Sequence, residues 1–284
     1  MSATPLQALV HQRAAGTTDL EPLWHETRRR EWLAPGAGPV VIQIDRRWRS
    51  PLVVETARSL AAYLGAQLLA ARVVLMDPAA GSASAGEESA FTVAGTVAHS
   101  LRVPAAWFEG AFLITITGVG PDAVTRLSAV LDAQAAPLQA LNPSTPAMTL
   151  AYETHRLFAS DLVVACATAH RNDPSSEPCW FVGPSDLGVE MALARACGCD
   201  PSRLPYVALL ARHEIVPALA PEHGATALQG YLAPAWQARM HAARTRVATT
   251  RHAIIQDVVA VRRNLRRIPP AIRRRLAARK RGAG

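Results

Sequence analysis

The stretch FLITITGVG, residues 112–120, decides the fold class. Its apolar and β-branched residues, bounded by glycines, predict a β-strand. The segment that follows, PDAVTRLSAVLDAQAAPLQAL (121–141), begins with proline and aspartate and has apolar residues at helical spacing. It therefore predicts an amphipathic helix. A strand followed directly by a helix of this length is typical of folds that combine a sheet with helices packed on it.

The same alternation continues on both sides of this stretch. GPVVIQID (38–45) predicts a strand, and the segment from Pro51 to Gly65 predicts a helix that begins at the proline and ends before the glycine. Strand and helix patterns recur after the turn-like cluster Asn142-Pro-Ser-Thr-Pro146. We therefore predict an α/β or α+β fold, in which a small sheet has helices packed on it and a second α/β segment follows.

Four regions are predicted along the chain. They are an entry segment with one short helix (1–37), an α/β domain (38–141), a second α/β region (147–234), and a basic amphipathic helix with a tail (235–284). The sequence leaves open whether the second α/β region is a separate domain or completes the first.

Residues 39–134 resemble the HPr phosphocarrier domain of the bacterial sugar phosphotransferase system. The resemblance rests on the order of predicted elements and on EGAFLITITGVGPDAVTRLSAVL (109–131), which is similar to the last strand and last helix of that family. It implies an open sandwich. The family's phosphorylated histidine corresponds here to Trp48, in the turn Arg46-Arg47-Trp48-Arg49-Ser50-Pro51. Because the indole N–H can only donate a hydrogen bond, the resemblance implies a scaffold without phosphocarrier chemistry.

Composition bounds the class of protein. Half of the residues are hydrophobic and 18% are charged, so the chain can bury a core. The sequence has neither an uncharged apolar run long enough to span a membrane nor a signal-peptide pattern, which predicts a cytoplasmic protein without a transmembrane segment. In that compartment the four cysteines are thiols or metal ligands, not disulfides. Arginine is strongly preferred over lysine, which indicates a GC-rich genome of a bacterium, a phage or a large DNA virus.

The charge of the chain is divided unevenly. From Arg239 to the end there are fourteen basic residues and one acid, Asp257, whereas the rest of the chain has sixteen basic and twenty-one acidic residues. Such an asymmetry is typical of a basic arm that has its own anionic partner.

The basic arm has two parts. Apolar residues between Val247 and Ile268 recur at helical spacing and form a stripe, which could pack on the body, on a second copy or on a protein partner, or lie on an anionic membrane. Pro269 and Pro270 interrupt this helix, and a basic tip follows. The residues predicted to contact nucleic acid or another polyanion are Arg262, Arg263, Arg266, Arg267, Arg273, Arg274, Arg275, Arg279, Lys280 and Arg281.

Motifs for common chemistries are missing from the sequence. It has no glycine-rich nucleotide loop and no GxSxG nucleophile elbow, and HEIVP at His213 has Pro217 where a zincin has its second histidine. Thiolate and imidazole groups between residues 166 and 213 could bind zinc, although their spacing matches no zinc signature. The candidate ligands are Cys166, His170, Cys179, Cys197 and Cys199. The alternative is that these cysteines are buried apolar side chains.

These observations favour a binding or assembly protein over an enzyme, and they predict no catalytic residues and no cofactor. The Arg-rich C-terminal arm is predicted to contact nucleic acid or another polyanion. Two alternatives remain open. One is a metalloprotein or enzyme centred on the Cys/His cluster of residues 166–213, and the other is a protein that docks to a membrane surface or a partner through its C-terminal amphipathic helix.

Overall fold

The fold is taken from a computed structural model, which describes residues 7–12, 19–36, 38–44, 50–67, 72–76, 90–95, 98, 100–108, 112–119, 129–168, 177–196, 200–201 and 207. The described strands are β1 (Leu9–Gln12), β2 (Val40–Ile44), β3 (Val73–Met76), β4 (Ala90–Val93), β5 (Leu101–Pro104), β6 (Phe112–Gly118), β7 (Leu162–Thr168) and β8 (Pro178–Gly183). The described helices are α1 (Glu21–Arg29), α2 (Pro51–Gln67), α3 (Ala129–Leu141), α4 (Ala147–Leu157) and α5 (Asp186–Ala196), with a short 3-10 helix at Ala105–Phe108.

Six strands form one mixed sheet in the order β1-β8-β7-β6-β2-β3. β3, β2, β6 and β7 are parallel to one another, whereas β8 is antiparallel to both of its neighbours, β7 and β1. β4 and β5 pair separately as a small antiparallel sheet. The described chain combines a mixed sheet with five helices, which confirms the broad prediction of an α/β or α+β fold.

One face of the sheet packs against α1 and α2. Leu23 and Trp24 of α1 and Leu60 of α2 lie in the same buried cluster as Ile42 of β2 and Ile114 of β6. α2 fits this position because Val53, Ala57, Leu60 and Leu64 recur every three or four residues and are all buried.

The opposite face packs against α3, α4, α5 and the small sheet. Leu138 of α3, Leu150 of α4 and Leu193 of α5 share a second buried cluster with Val41 and Val163 of the sheet. All five residues of β2 are buried, because the two faces of this strand are covered by different helical layers.

The chain winds in two directions from the centre of this sheet. After β2 it passes through α2 to β3 on one side, and after β6 it passes through α3 and α4 to β7 on the other side. The two windings use opposite faces of the sheet. The carboxyl ends of β2 and β6, which are neighbours, therefore lie at a topological switch point, where open α/β sheets form a crevice.

The structure differs from the open sandwich that the HPr resemblance implies, because its described helices cover both faces of the sheet. The described residues between β3 and β6 form two strands and a 3-10 helix. The described part of 147–234 completes the sheet of 38–141, since β7 pairs with β6. The resemblance itself stays a prediction.

Two elements lie where the sequence analysis placed none. β1 belongs to the predicted entry segment, yet it pairs with β8 as an edge strand of the main sheet. α4 follows directly after the turn-like cluster 142–146 and packs against α3. Both are short, at four and eleven residues, so local spacing predicts them poorly and tertiary contacts stabilise them.

One predicted boundary also changes. α2 continues two residues past Gly65, to Gln67, whose side-chain oxygen accepts a hydrogen bond from Arg28 of α1 at 2.7 Å. The helix predicted over 121–141 is described from Ala129 onwards, and residues 121–128 lie outside the described part. In the predicted second α/β region, the described residue Val207 is helical and buried.

Candidate functional site

The predicted polyanion contacts lie outside the described residues. This applies to the whole basic arm, including the apolar stripe from Val247 to Ile268 and the ten basic residues from Arg262 to Arg281. The arm therefore stays a prediction from the sequence, and the described site geometry is that of the body.

The first turn of α2 lies where the switch point would receive a ligand. Ser50 caps this helix: its Oγ accepts a hydrogen bond from the N–H of Val53 at 3.3 Å, and its carbonyl accepts from the N–H of Val54 at 3.2 Å. Pro51 has no N–H. Of the first turn, only the N–H of Leu52 is left for a ligand, so this helix end lacks the array of N–H groups that holds a nucleotide phosphate.

A groove of about 650 Å³ runs along the exposed side of the first turns of α2. We name it the α2 groove. Its lining residues are Ser50, Pro51, Val54, Glu55, Arg58 and Ser59. Ser59 is positioned by α1, because its Oγ accepts a hydrogen bond from the indole N–H of Trp24 at 3.0 Å. The sequence analysis used Pro51 as a helix start but did not predict a site here.

Two of the five candidate metal ligands are described, and they lie on opposite faces of the sheet. Cys166 belongs to the cluster beneath α1 and α2, and Cys179 to the cluster beneath α3, α4 and α5. Burial raises the pKa of each thiol to about 12, so both are protonated at neutral pH and are weak nucleophiles. These two cysteines cannot share one metal ion across the sheet.

The other candidate ligands, His170, Cys197 and Cys199, lie outside the described residues. Within the described ranges, no group of three or more His, Cys, Asp or Glu side chains is arranged to hold a metal ion. The zinc alternative thus stays an untested prediction that depends on residues other than Cys166 and Cys179.

A buried polar row crosses the second face of the sheet, and the sequence analysis did not single it out. The side-chain amide of Gln43 donates to Thr115 Oγ1, which lies 2.7 Å from the hydroxyl of Ser160. The other amide atom of Gln43, Oε1, and the indole N–H of Trp107 are buried without a hydrogen-bond partner in the described part of the chain. In the sequence, this polar row is indicated by single polar residues inside apolar strands, such as the glutamine in VVIQI.

The tryptophans that are described are packing residues. Trp24 and Trp180 are fully buried, and Trp32 and Trp107 are nearly so. These four side chains therefore contribute to the core, whereas Trp48 and Trp236 lie outside the described residues.

His11 predicts a pH dependence of stability. It pairs with Trp180 across β1 and β8, with ring centroids 6.0 Å apart, and partial burial lowers its pKa from the ordinary 6.5. The unfolded chain then takes up this proton more readily than the folded one, so stability is complete above pH 6.5 and falls as the pH drops below that value. Urea unfolding between pH 8 and pH 5 should show a steeper acid loss in the wild type than in His11→Gln.

Other titrating groups contribute equally to both proteins in that comparison, so the difference between the two curves isolates His11. Parallel curves for the wild type and the variant would show that the folded and unfolded states bind this proton equally.

Comparison with known proteins gives no relative for this chain: no family model, no curated protein and no solved structure matches it. No described helix is long and apolar enough to cross a membrane. The function of this chain is therefore inferred from its own charge and geometry.

Proposed function

We propose that this protein is a non-enzymatic nucleic-acid-binding or assembly protein, in which the α/β body is a scaffold and the basic arm contacts phosphate groups. The observation that carries the proposal is the division of charge, with fourteen basic residues and one acid from Arg239 onwards and an excess of five acids in the rest of the chain.

A nearly pure run of positive charge repels itself unless counter-charges arrive from outside. Phosphodiester backbones supply such charges, and guanidinium groups bind phosphate oxygens in pairs. The rest of the chain has a net negative charge and so adds no overall attraction to the polyanion. The arm is thereby favoured as the contacting segment.

The described body contributes a second argument. Its two thiols are buried and protonated, and the first turn of α2 at the switch point is capped by its own serine. Neither a thiol nucleophile nor a backbone phosphate cradle is present at these positions. Both features support a scaffold role for the described part of the chain.

A salt titration tests the proposal. Binding of the full chain to a DNA duplex of random sequence should weaken steeply as salt rises, because bound phosphates release counterions. With about six contacts, the slope of log K against log salt is expected near −5, and affinity should fall about a thousandfold between 50 and 200 mM salt. Fluorescence anisotropy with labelled DNA measures this.

Vesicles with and without phosphatidylserine provide the comparison that separates nucleic acid from an anionic membrane. No measurable DNA binding at 50 mM salt, or flotation with the anionic vesicles in its place, would contradict the proposal.

A further inference from the structure

Each of the two serine hydroxyls in the described lining of the α2 groove already accepts one hydrogen bond. Ser50 Oγ already accepts from Val53, and Ser59 Oγ already accepts from Trp24. No described residue accepts the hydroxyl proton of either serine, and none pairs with the exposed guanidinium of Arg58. Beside the carboxylate of Glu55, the described lining therefore presents a cation and two hydroxyl donors.

A lining of this kind selects an anion rich in acceptor oxygens. Arginine has five N–H donors and no acceptor, and it binds phosphate with charge-assisted hydrogen bonds. Val54 adds an apolar surface between the polar groups. From Ser50 to Ser59 the groove follows the helix for about 13 Å, which is longer than one phosphate and suits an extended backbone.

The lining residue Glu55 has a negative charge that would weaken phosphate binding, and a substitution can remove this charge. Glu55 lies three residues before Arg58 on the same helix, and it has an interaction of its own. A phosphate beside Arg58 would still be repelled by this charge, so removal of the charge has a predictable sign.

We propose that the α2 groove binds a phosphodiester of the same nucleic acid that the basic arm contacts, through Arg58, Ser50 and Ser59. This inference rests on the proposed function and makes the body a second contact site for the polyanion. Contacts from the groove to the phosphodiester backbone do not recognise bases, so binding at this site is independent of the nucleic-acid sequence.

Three single substitutions in the full chain test the groove. Arg58→Ala should weaken binding to the same DNA duplex about tenfold, because a hydrogen-bonded charge contact is lost, and should make the salt slope shallower by about 0.9. Glu55→Gln should tighten binding a few-fold. Arg102→Ala is the matched control, since Arg102 is an exposed arginine on β5, on the opposite face of the sheet, and its bonds to Asn142 are made by its backbone.

Equal affinities for Arg58→Ala and Arg102→Ala would overturn the inference while leaving the proposed function intact, and so would unchanged or weaker binding by Glu55→Gln. If the full chain binds no nucleic acid, the proposed function is wrong. Calorimetry with inorganic pyrophosphate then tests whether the groove binds an anion. Saturable heat that Arg58→Ala loses and Arg102→Ala keeps would support the anion site. Equal heats in both variants would overturn it.

Discussion

Deletion of residues 262–284 is expected to weaken DNA binding more than about a hundredfold while the body stays folded. The deletion removes ten of the fourteen basic residues of the arm. Each lost phosphate contact makes the slope of log K against log salt shallower by about 0.9. None of the described core residues lies in the deleted segment, so the unfolding midpoint of the body should be preserved.

A charge-preserving variant separates charge from guanidinium geometry. Replacing the nine arginines among these ten residues by lysine keeps the net charge and should retain the salt slope, with a modest loss of affinity from the missing bidentate contacts. Full-strength binding by the truncated chain would show that the arm is not the contact segment. A lysine variant as weak as the truncation would show that charge alone is insufficient.

Trp180→Ala is expected to produce the largest loss of stability, about 3–5 kcal/mol. The indole is fully buried between the sheet and α2, and its N–H donates to Thr56 Oγ1 at 2.9 Å. Truncation leaves a large cavity and removes this donor. The free energy of unfolding of a small domain is only about 5–15 kcal/mol, so such a loss removes a large fraction of the stability. Urea unfolding followed by far-ultraviolet circular dichroism measures it.

Trp180→Phe is the matched control, since it keeps most of the ring volume and removes only the hydrogen bond to Thr56. Its loss should be about 1–2 kcal/mol. Thr56 Oγ1 also accepts from the thiol of Cys166 and donates to the carbonyl of Leu52, so the threonine keeps other partners. Equal losses for the two variants would show that packing of the ring is not what holds β8 against α2.

The central strands and α2 could be predicted because their signals are local. VVIQI and FLITITG are continuous apolar or β-branched runs, and α2 carries its own start signal and its own apolar spacing. β1 and α4 could not be predicted in this way. The four residues of β1 become a strand because β8 offers them a hydrogen-bonding edge.

The candidate site residues likewise have some features that the sequence shows and others that only the structure shows. The charge of the arm can be counted in the sequence, and so can the closeness of Cys166 and Cys179. Closeness in the sequence does not show on which face of the sheet each cysteine lies. Cys166 pairs with Trp180 in the antiparallel ladder, which places Cys179 one residue out of register with it. Because side chains alternate along a strand, one residue of offset directs the two thiols to opposite faces.

Local sequence therefore determined the apolar strands, the helix α2 and the separation of a basic arm from an acidic body, because each depends on neighbouring residues or on simple counts. Tertiary structure alone decided the strand order, the switch point between β2 and β6, and the α2 groove. These depend on which segments, far apart in the chain, bury each other's apolar faces. Arg58 and Ser59 become a candidate anion site only because α1 and the sheet cover the other side of their helix.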